Sequence, residues 1–331
     1  MNKKLATEYM GLSLENPVIA GSCGLTGSVE SIKTLARSGA GAVVLKSIFE
    51  EEILLEVDER LREAQKSQMI YSGLSETLDY IDLHIREDSL EKYLDLIRNA
   101  KKEVSIPIIA SINCVSYEDW THFTRKIEEA GADGLELNLF LNPADFDSKE
   151  FEKVYFKIIE KVLEVVSIPV SIKISRYFTR LGLTVKALSE TGVSGIVMFN
   201  RFYTPDIDID KASMVKGKYF STPEEQSETL RWIAIMSRRS DCDLAASTGI
   251  HTGEDVIKML LAGASAVQVA STLYKNGPDQ IGRILKKVES WMDEKGFSSL
   301  GDFRGKATEE YQKNPASFER MQFMKYFSEI R

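Results

Sequence analysis

Ser38-Gly39-Ala40-Gly41-Ala42, Ala130-Gly131-Ala132-Asp133-Gly134, Thr191-Gly192-Val193-Ser194-Gly195 and Ala262-Gly263-Ala264-Ser265-Ala266 are four versions of one junction. In each, an amphipathic run stops at a glycine suited to the left-handed conformation that closes a helix. A short β-rich run follows each: Val43-Val44-Leu45, Leu135-Glu136-Leu137, Ile196-Val197-Met198 and Val267-Gln268-Val269. A helix-then-strand unit therefore recurs along the chain. A second echo pairs Val104-Ser105-Ile106-Pro107-Ile108 with Val166-Ser167-Ile168-Pro169-Val170, where proline ends a helix just ahead of a strand.

The pattern predicts eight strands, at Val18–Ser22, Ala42–Lys46, Ile108–Asn113, Gly134–Asn138, Val170–Ile174, Gly195–Phe199, Asp243–Ala246 and Ala266–Val269. They are nearly continuous apolar runs, as parallel strands covered by helices should be. Between them lie runs with helical spacing, such as Leu90, Tyr93, Leu94 and Ile97. Eight such units close into an α/β TIM barrel, a (β/α)8 fold whose chemistry sits at the carboxyl ends of the strands. One domain over residues 1–331 is expected, with insertions at the mouth at about 47–88 and 200–222. Both insertions are placed to act as lids or substrate loops, or as decoration. The tail at about 306–331 carries Phe318, Met321, Phe323, Met324, Tyr326 and Phe327, which suggests a docked helix or a subunit contact.

Composition narrows the class. With 43% hydrophobic and 28% charged residues, and no apolar run near the roughly 18 residues of a membrane span, the chain reads as globular, with no membrane partner. Met1-Asn2-Lys3-Lys4 lacks the apolar stretch of a secretory signal. The net charge of −8 argues against nucleic acid, which needs a basic face. Cys23, Cys114 and Cys242 have no CxxC spacing, and His84, His122 and His251 have no metal-ligand spacing, so neither a cluster nor a metal site is expected. A reducing cytoplasm fits this usage.

Polar residues gather where the barrel puts its mouth: Ser22, Lys46, Ser47, Asn113, Asn138, Lys173, Ser175, Asn200, Ser247, Thr248 and Ser271. Burying such groups without partners costs roughly 1–3 kcal/mol each, so a ligand is expected to supply them. Thr248-Gly249, then Thr252-Gly253-Glu254-Asp255 opening a helix, then Ala270-Ser271 fit the phosphate site that barrels build from their last loops and a helix N-terminus. Lys46 and Lys173, with no obvious carboxylate adjacent in sequence, suit the negative charge of a reduced flavin or of an anionic substrate. Either could instead form a Schiff base, as in a lyase.

At these residues the chain resembles the dihydroorotate dehydrogenase family, and most of all its class 1 members, over nearly all of residues 7–306. The resemblance is carried by Asn16-Pro17 through Gly21-Ser22-Cys23 to Lys46-Ser47, Glu136-Leu137-Asn138-Leu139, Ile172-Lys173-Ile174-Ser175-Arg176-Tyr177-Phe178 and Ser247-Thr248-Gly249-Ile250-His251-Thr252-Gly253. Leu261-Ala262-Gly263-Ala264, Gly277-Pro278 and Asp302-Phe303-Arg304-Gly305-Lys306 continue it. The resemblance implies FMN as cofactor, with Gly21 and Ser22 on the ring, Lys46, Ser47, Asn113 and Lys173 against the flavin or its ribityl chain, and Asn138 and Asn200 between ring and substrate. It further implies that Ser247, Thr248, Gly249, Ala270 and Ser271 hold the phosphate, and that Lys46, Asn138, Asn142, Asn200 and Arg201 meet a small anionic substrate. Oxidation of dihydroorotate in pyrimidine biosynthesis and a homodimer are also implied.

Three positions depart from the family. Its catalytic cysteine or serine aligns with Leu141, a substrate asparagine with Ile70, and its Asn-Ser pair with Asn200-Arg201. Leucine takes no proton, so a substitute base is expected at Cys114, then Cys23, with Lys46 also facing the site. The alternatives are a related flavoenzyme with another substrate, a flavin-binding subunit serving an electron-transfer protein, and the lysine-dependent lyase.

Overall fold

The computed structural model describes residues 4–49, 74–113, 120–139, 151–201 and 204–309. The chain opens with an antiparallel hairpin, β1 (Thr7–Tyr9) and β2 (Leu12–Leu14), whose two-residue turn is Met10-Gly11. Both turn residues have positive φ, 48° and 76°, the geometry that matches hairpin twist. Then follow β3 (Val18–Ala20), α1 (Val29–Arg37), β4 (Ala42–Val44), β5 (Ile48–Phe49), α2 (Leu74–Glu103), β6 (Ile108–Asn113), α3 (Trp120–Glu129), β7 (Gly134–Asn138), α4 (Phe151–Leu163), β8 (Val170–Ile174), α5 (Leu181–Ser189) and β9 (Gly195–Met198). A second hairpin, β10 (Pro205–Asp208) and β11 (Ser213–Lys216), precedes α6 (Gln226–Met236) and β12 (Asp243–Ser247). Last come α7 (Gly253–Ala262), β13 (Ala266–Val269), α8 (Ser271–Asn276) and α9 (Gln280–Lys295).

Pairing closes the sheet. From β3 the order runs through β13, β12, β9, β8, β7 and β6 to β4, which pairs back onto β3, and every one of these pairs is parallel. The four junction glycines, Gly39, Gly131, Gly192 and Gly263, have φ of 97°, 95°, 97° and 108°. Each helix can therefore end and turn its chain back into the next strand. The helices end at Glu103 and Leu163, four and six residues ahead of Pro107 and Pro169, so the prolines mark strand entry rather than the helix ends; their carbonyls accept ladder bonds, from Val43 N–H at 3.0 Å and Leu135 N–H at 2.9 Å.

Strand alternation separates two cores. Outward residues such as Val18, Val43, Ile108, Leu137 and Ile172 pack beneath the helices with Ile32, Ile97, Ile158 and Leu188. Ile19, Val44, Ile109, Val197 and Ala245 face the lumen and form a separate cluster with Tyr9 and Met10 of the first hairpin. That hairpin plugs the barrel floor. A Cβ at Gly134 would lie 2.9 Å from Met10 Cε and one at Gly195 3.1 Å from the Tyr9 ring, so those two strands start with glycine to make room for the plug.

Two boundaries differ from expectation. Residues 74–88, assigned to the first mouth insertion, belong to α2, and the spacing of Leu74, Leu78, Ile81 and Ile85 already has the helical period. The second insertion is built in part as the β10–β11 hairpin rather than as irregular loop. Residues 50–73, Cys114, Leu141, Asn142 and the tail beyond 309 lie outside the described residues.

Candidate active site

The carboxyl ends of the strands open on a cavity of about 300 Å³. Lys46, Asn138 and Lys173 line it from three strand ends, Ser22 and Ser47 from one side, and Asn200 and Arg201 from another. Ser247, Thr248, Gly249, Ala270 and Ser271 form its far wall. Two expected residues are not on the wall. Asn113 ends β6 beside it, and Gly21 lies behind it, its N–H on the Val269 carbonyl at 2.9 Å.

Lys46 stands at a break in a barrel strand: β4 and β5 both pair with β6, but after Leu45, whose N–H still reaches the Ile109 carbonyl at 2.9 Å, the chain leaves the ladder. Lys46 N–H donates to the Thr26 carbonyl at 3.3 Å, and Ser47 N–H to Ser22 Oγ at 3.0 Å. A run of hydroxyls backs the break: Ser47 Oγ lies 3.1 Å from Ser22 Oγ and 2.7 Å from Ser111 Oγ. Tyr93 of α2 locks its lower end, donating to the Ser111 carbonyl at 3.0 Å and accepting from its N–H at 2.8 Å. The loop after β3 and the β4–β5 break are thereby stitched into one wall.

On the opposite side, Asn200 N–H reaches the Ile174 carbonyl at 2.9 Å and its Nδ2 the Lys173 carbonyl at 3.2 Å, which leaves the side-chain oxygen as its available polar face. Asn138 Oδ1 is buried and has no hydrogen-bond partner among the described residues, the state of a group awaiting a ligand. Arg201 touches the cavity, but its guanidinium is turned elsewhere. Nε donates to Glu225 at 2.9 Å, and Nη1 and Nη2 to the carbonyls of Tyr219 and Lys218 at 3.0 and 3.1 Å. It ties the mouth insertion to the barrel, a role the sequence pattern did not suggest.

No carboxylate is adjacent to Lys173 in sequence, but the fold brings one beside it. Glu136, from the neighbouring strand, places Oε1 3.9 Å from Lys173 Nζ, and Gln268 Oε1 accepts from that ammonium at 2.8 Å. An imine-forming amine must be free to attack a carbonyl, whereas Lys173 Nζ is engaged by Gln268 with Glu136 beside it, so the site does not favour the lyase alternative at Lys173. Glu136 and Gln268 are among the wall residues that sequence reading passed over, with Gly24, Phe199, Ser221 and Ile250. For Glu136 and Gln268 the clue was present, because each is the single polar residue in an apolar strand triplet, Leu135-Glu136-Leu137 and Val267-Gln268-Val269, at lumen-facing parity.

Thr248 and Gly249 both hold positive φ, 77° and 76°, which turns the chain sharply after β12. A Cβ on Gly249 would fall 2.3 Å from Gln226 N, so only glycine fits. Thr248 Oγ1 donates to the Phe199 carbonyl at 3.2 Å. The N-terminus facing the cavity is that of α8, at Ser271, whose first N–H groups have no acceptor within their helix. The expected helix, α7, is instead capped internally: Thr252 Oγ1 accepts from Asp255 N–H, and Asp255 Oδ2 accepts from the N–H groups of His251 and Thr252 at 3.0 and 2.9 Å. Ser221, at the end of the mouth insertion, is clamped onto this region. Its N–H donates to Ser271 Oγ at 3.0 Å, its hydroxyl meets His251 Nε2 at 3.1 Å, and Lys275 Nζ donates to its carbonyl at 2.7 Å. Burial, with the Lys275 charge, holds His251 below its usual pKa.

Asp255 is the keystone of the turn. Burial alone would push its pKa up, but hydrogen bonds from Gln226 Nε2 and from the His251 and Thr252 N–H groups outweigh that and hold it below the ordinary value. A depressed carboxyl contributes stability that is present above the ordinary carboxylate pKa of about 4 and is lost as pH falls through the folded-state value. Asp255→Ala strands three buried donors and is expected to cost about 2–3 kcal/mol at pH 7. Urea unfolding checks this, and the gap between variant and parent should shrink below about pH 4; a gap that persists unchanged in acid would assign the loss to packing.

Cys23 reaches the cavity wall, but burial pushes its thiol above the usual value, the opposite of what a general base or thiolate needs. No group of histidine, cysteine and carboxylate side chains among the described residues could hold a metal ion. Among the same residues, no helix is long and apolar enough to cross a membrane.

Comparison with known proteins meets this geometry from the other side. The family model for dihydroorotate dehydrogenase matches residues 4–292. The catalytic subunit of dihydroorotate dehydrogenase B (NAD(+)) from Thermoplasma acidophilum is 26% identical over 309 residues, covering 92% of this chain and 98% of its own length. Its counterpart from Pyrococcus furiosus is 27% identical over 310 residues, with 91% and 97% covered. That from Methanothermobacter thermautotrophicus is 26% identical over 312 residues, with 92% and 98% covered. A match that runs from the floor hairpin through the mouth loops into α9 takes in every element of the barrel and every wall of its cavity, and the chain belongs to the dihydroorotate dehydrogenase family.

Proposed function

We propose that the chain is an FMN-dependent oxidoreductase acting on a CH–CH donor, with dihydroorotate as the substrate, oxidised to orotate in pyrimidine biosynthesis. The observation that carries this is one cavity, at the mouth of a barrel of this family, whose walls divide into a face that presents Lys46 and Lys173 and a polar turn that suits phosphate. The donor set fits the cofactor. The buried, unpartnered Asn138 Oδ1 offers an acceptor to a ring N–H, and the side-chain oxygen of Asn200 faces the same space. Thr248, Gly249, Ala270 and Ser271 give the far wall short side chains and backbone, which suits a phosphate. When bound, FMN supplies the hydride acceptor. Lys173 and Lys46 would meet the negative charge that such a ring gains on reduction, Asn138 and Asn200 would orient ring and substrate, and the break around Ser47 would set how Lys46 enters.

The relatives are named as catalytic subunits of NAD(+)-dependent enzymes. This chain has no nicotinamide-binding fingerprint. We infer that its electrons leave through a partner electron-transfer protein, and that the chain works in the cytoplasm as a homodimer. The purified protein should be yellow, and anaerobic dihydroorotate should bleach its visible absorption. A colourless protein that takes up no added FMN would overturn the proposal, and a yellow one bleached only by another donor would move the substrate.

A further inference from the structure

In the cavity wall, Glu136, Lys173 and Gln268 meet across the lumen from three different strands. Glu136 and Lys173 come from adjacent strands, β7 and β8, where Glu136 is paired with Ser171 and Lys173 with Asn138, so the two lie diagonally on one face. Gln268 comes from β13, separated from β8 by β12 and β9, and must cross the barrel to reach them. Its amide is used at both ends. Nε2 donates to Glu136 Oε2, and Oε1 accepts from Lys173 Nζ at 2.8 Å. An amide turned over would set its NH2 against the ammonium and its oxygen against the carboxylate, so the two contacts fix one orientation.

The site is enclosed. Glu136 has 1% and the Lys173 side chain 13% of its surface exposed. Such a carboxylate needs its charge balanced, and Lys173 is the cation at hand. Behind the amide, a side chain at Gly21 would come 3.3 Å from Gln268 Cβ and 3.4 Å from Oε1; glycine leaves Gln268 room to span the lumen.

We propose that Glu136 and Gln268 are positioning residues that act through Lys173: Gln268 sets where the ammonium stands in the cavity wall, and Glu136 makes it one half of a neutral pair. This rests on the flavin reading above for what the ammonium meets. Its consequence is that the cofactor experiences a fixed dipole rather than a free positive charge. Glu136 thereby limits how strongly Lys173 favours the reduced, negatively charged ring.

Two substitutions separate the two roles. Glu136→Gln keeps a hydrogen-bond acceptor for Gln268 and removes only the charge. It should shift the two-electron reduction equilibrium of bound FMN about tenfold toward the reduced form, a rise of about 30 mV in midpoint potential. Gln268→Met keeps volume and the ion pair but removes the strap. It should weaken FMN binding at least about tenfold, and in the flavin-free chain speed acetylation of Lys173, followed by peptide mass spectrometry, several-fold relative to the other lysines. A purely structural role would lower thermal stability in both variants and change neither the potential nor the selective labelling of Lys173. An unchanged potential in a folded, flavin-loaded Glu136→Gln protein overturns the charge role, and unchanged Lys173 labelling in Gln268→Met overturns the strap. If Glu136→Gln retains no flavin, its Lys173 labelling in the flavin-free chain decides, with slower or equal labelling counting against the pair. Should the parent protein bind no FMN, the proposed function fails, while the labelling comparison still decides the strap.

Discussion

Lys173→Ala is expected to fold and to purify with most of its flavin missing. The ammonium lines the cavity with only 13% of the side chain exposed, so what it contacts there it contacts in a poorly hydrated setting. Charge-assisted hydrogen bonds of this kind contribute roughly 1.5–3 kcal/mol, which converts to roughly a 10- to 150-fold loss of FMN affinity. The same change leaves Glu136 buried without its counter-charge. Burial pushes that carboxyl above its ordinary pKa, against the opposing pull of Lys173, and losing the lysine raises it further, so the group can take up a proton and spare the fold an isolated charge. Affinity should therefore fall far more than stability. Fluorescence titration of FMN beside thermal melts tests this, and Lys173→Met, which fills the same space, controls for packing. Undiminished affinity in both variants would remove Lys173 from the cofactor site.

What the sequence made legible was the repeating part of the fold. A left-handed glycine after a helix and a proline before a strand are local requirements, satisfied by one residue wherever the unit recurs, and Gly39, Gly131, Gly192 and Gly263 all meet the first. The floor hairpin was not legible. Its turn is Met10-Gly11, without the Asn-Gly or Asp-Gly pair that usually marks such turns, and Tyr9 and Met10 have meaning only against residues far along the chain, such as Gly134 and Gly195.

The site followed the same division. Residues that end strands were visible as polar breaks in apolar runs, and Lys46, Asn138, Lys173 and Thr248 all came to the cavity. Contacts between distant segments were hidden. Gln268 meets Glu136 and Lys173 across 132 and 95 residues of chain, and Arg201 turns from the cavity to Glu225 because the insertion's carbonyls lie within its reach. Alternation within a strand can say that a side chain faces the lumen; only closure of the barrel says whom it meets there.

The largest gain of function is expected from Leu141→Cys. The resemblance read from the sequence puts the family's base at this position, three residues beyond Asn138. The strand that leads to it is held in place: Leu139 is buried, and its N–H donates to the Lys173 carbonyl at 3.0 Å, so the exit of β7 leaves the barrel in register with the cavity wall. With leucine at 141, proton removal has to come from elsewhere. We place that substitute at Cys114, next after Asn113 at the end of β6, rather than at Cys23, whose thiol is pushed up by burial. General-base loss typically costs about 10²- to 10⁴-fold. Cys114→Ser should therefore slow anaerobic flavin reduction by dihydroorotate by about that factor while leaving the flavin spectrum intact, whereas Cys23→Ser should leave the rate near the parent's. Adding Leu141→Cys to the Cys114→Ser protein should recover the rate, because the nucleus of the site, Asn138, Lys173 and the turn at Thr248, is already in place and lacks only a group that takes a proton. Stopped-flow absorbance of the parent, the two cysteine variants, Leu141→Cys and the double variant reads all of these steps directly. If Cys114→Ser changes nothing, the cysteine is not the base. If Leu141→Cys gains nothing in either background although the protein binds FMN, dihydroorotate is not the donor this cavity was built for, and the search moves to other CH–CH substrates small and anionic enough to lie between Asn138, Asn200 and the two lysines.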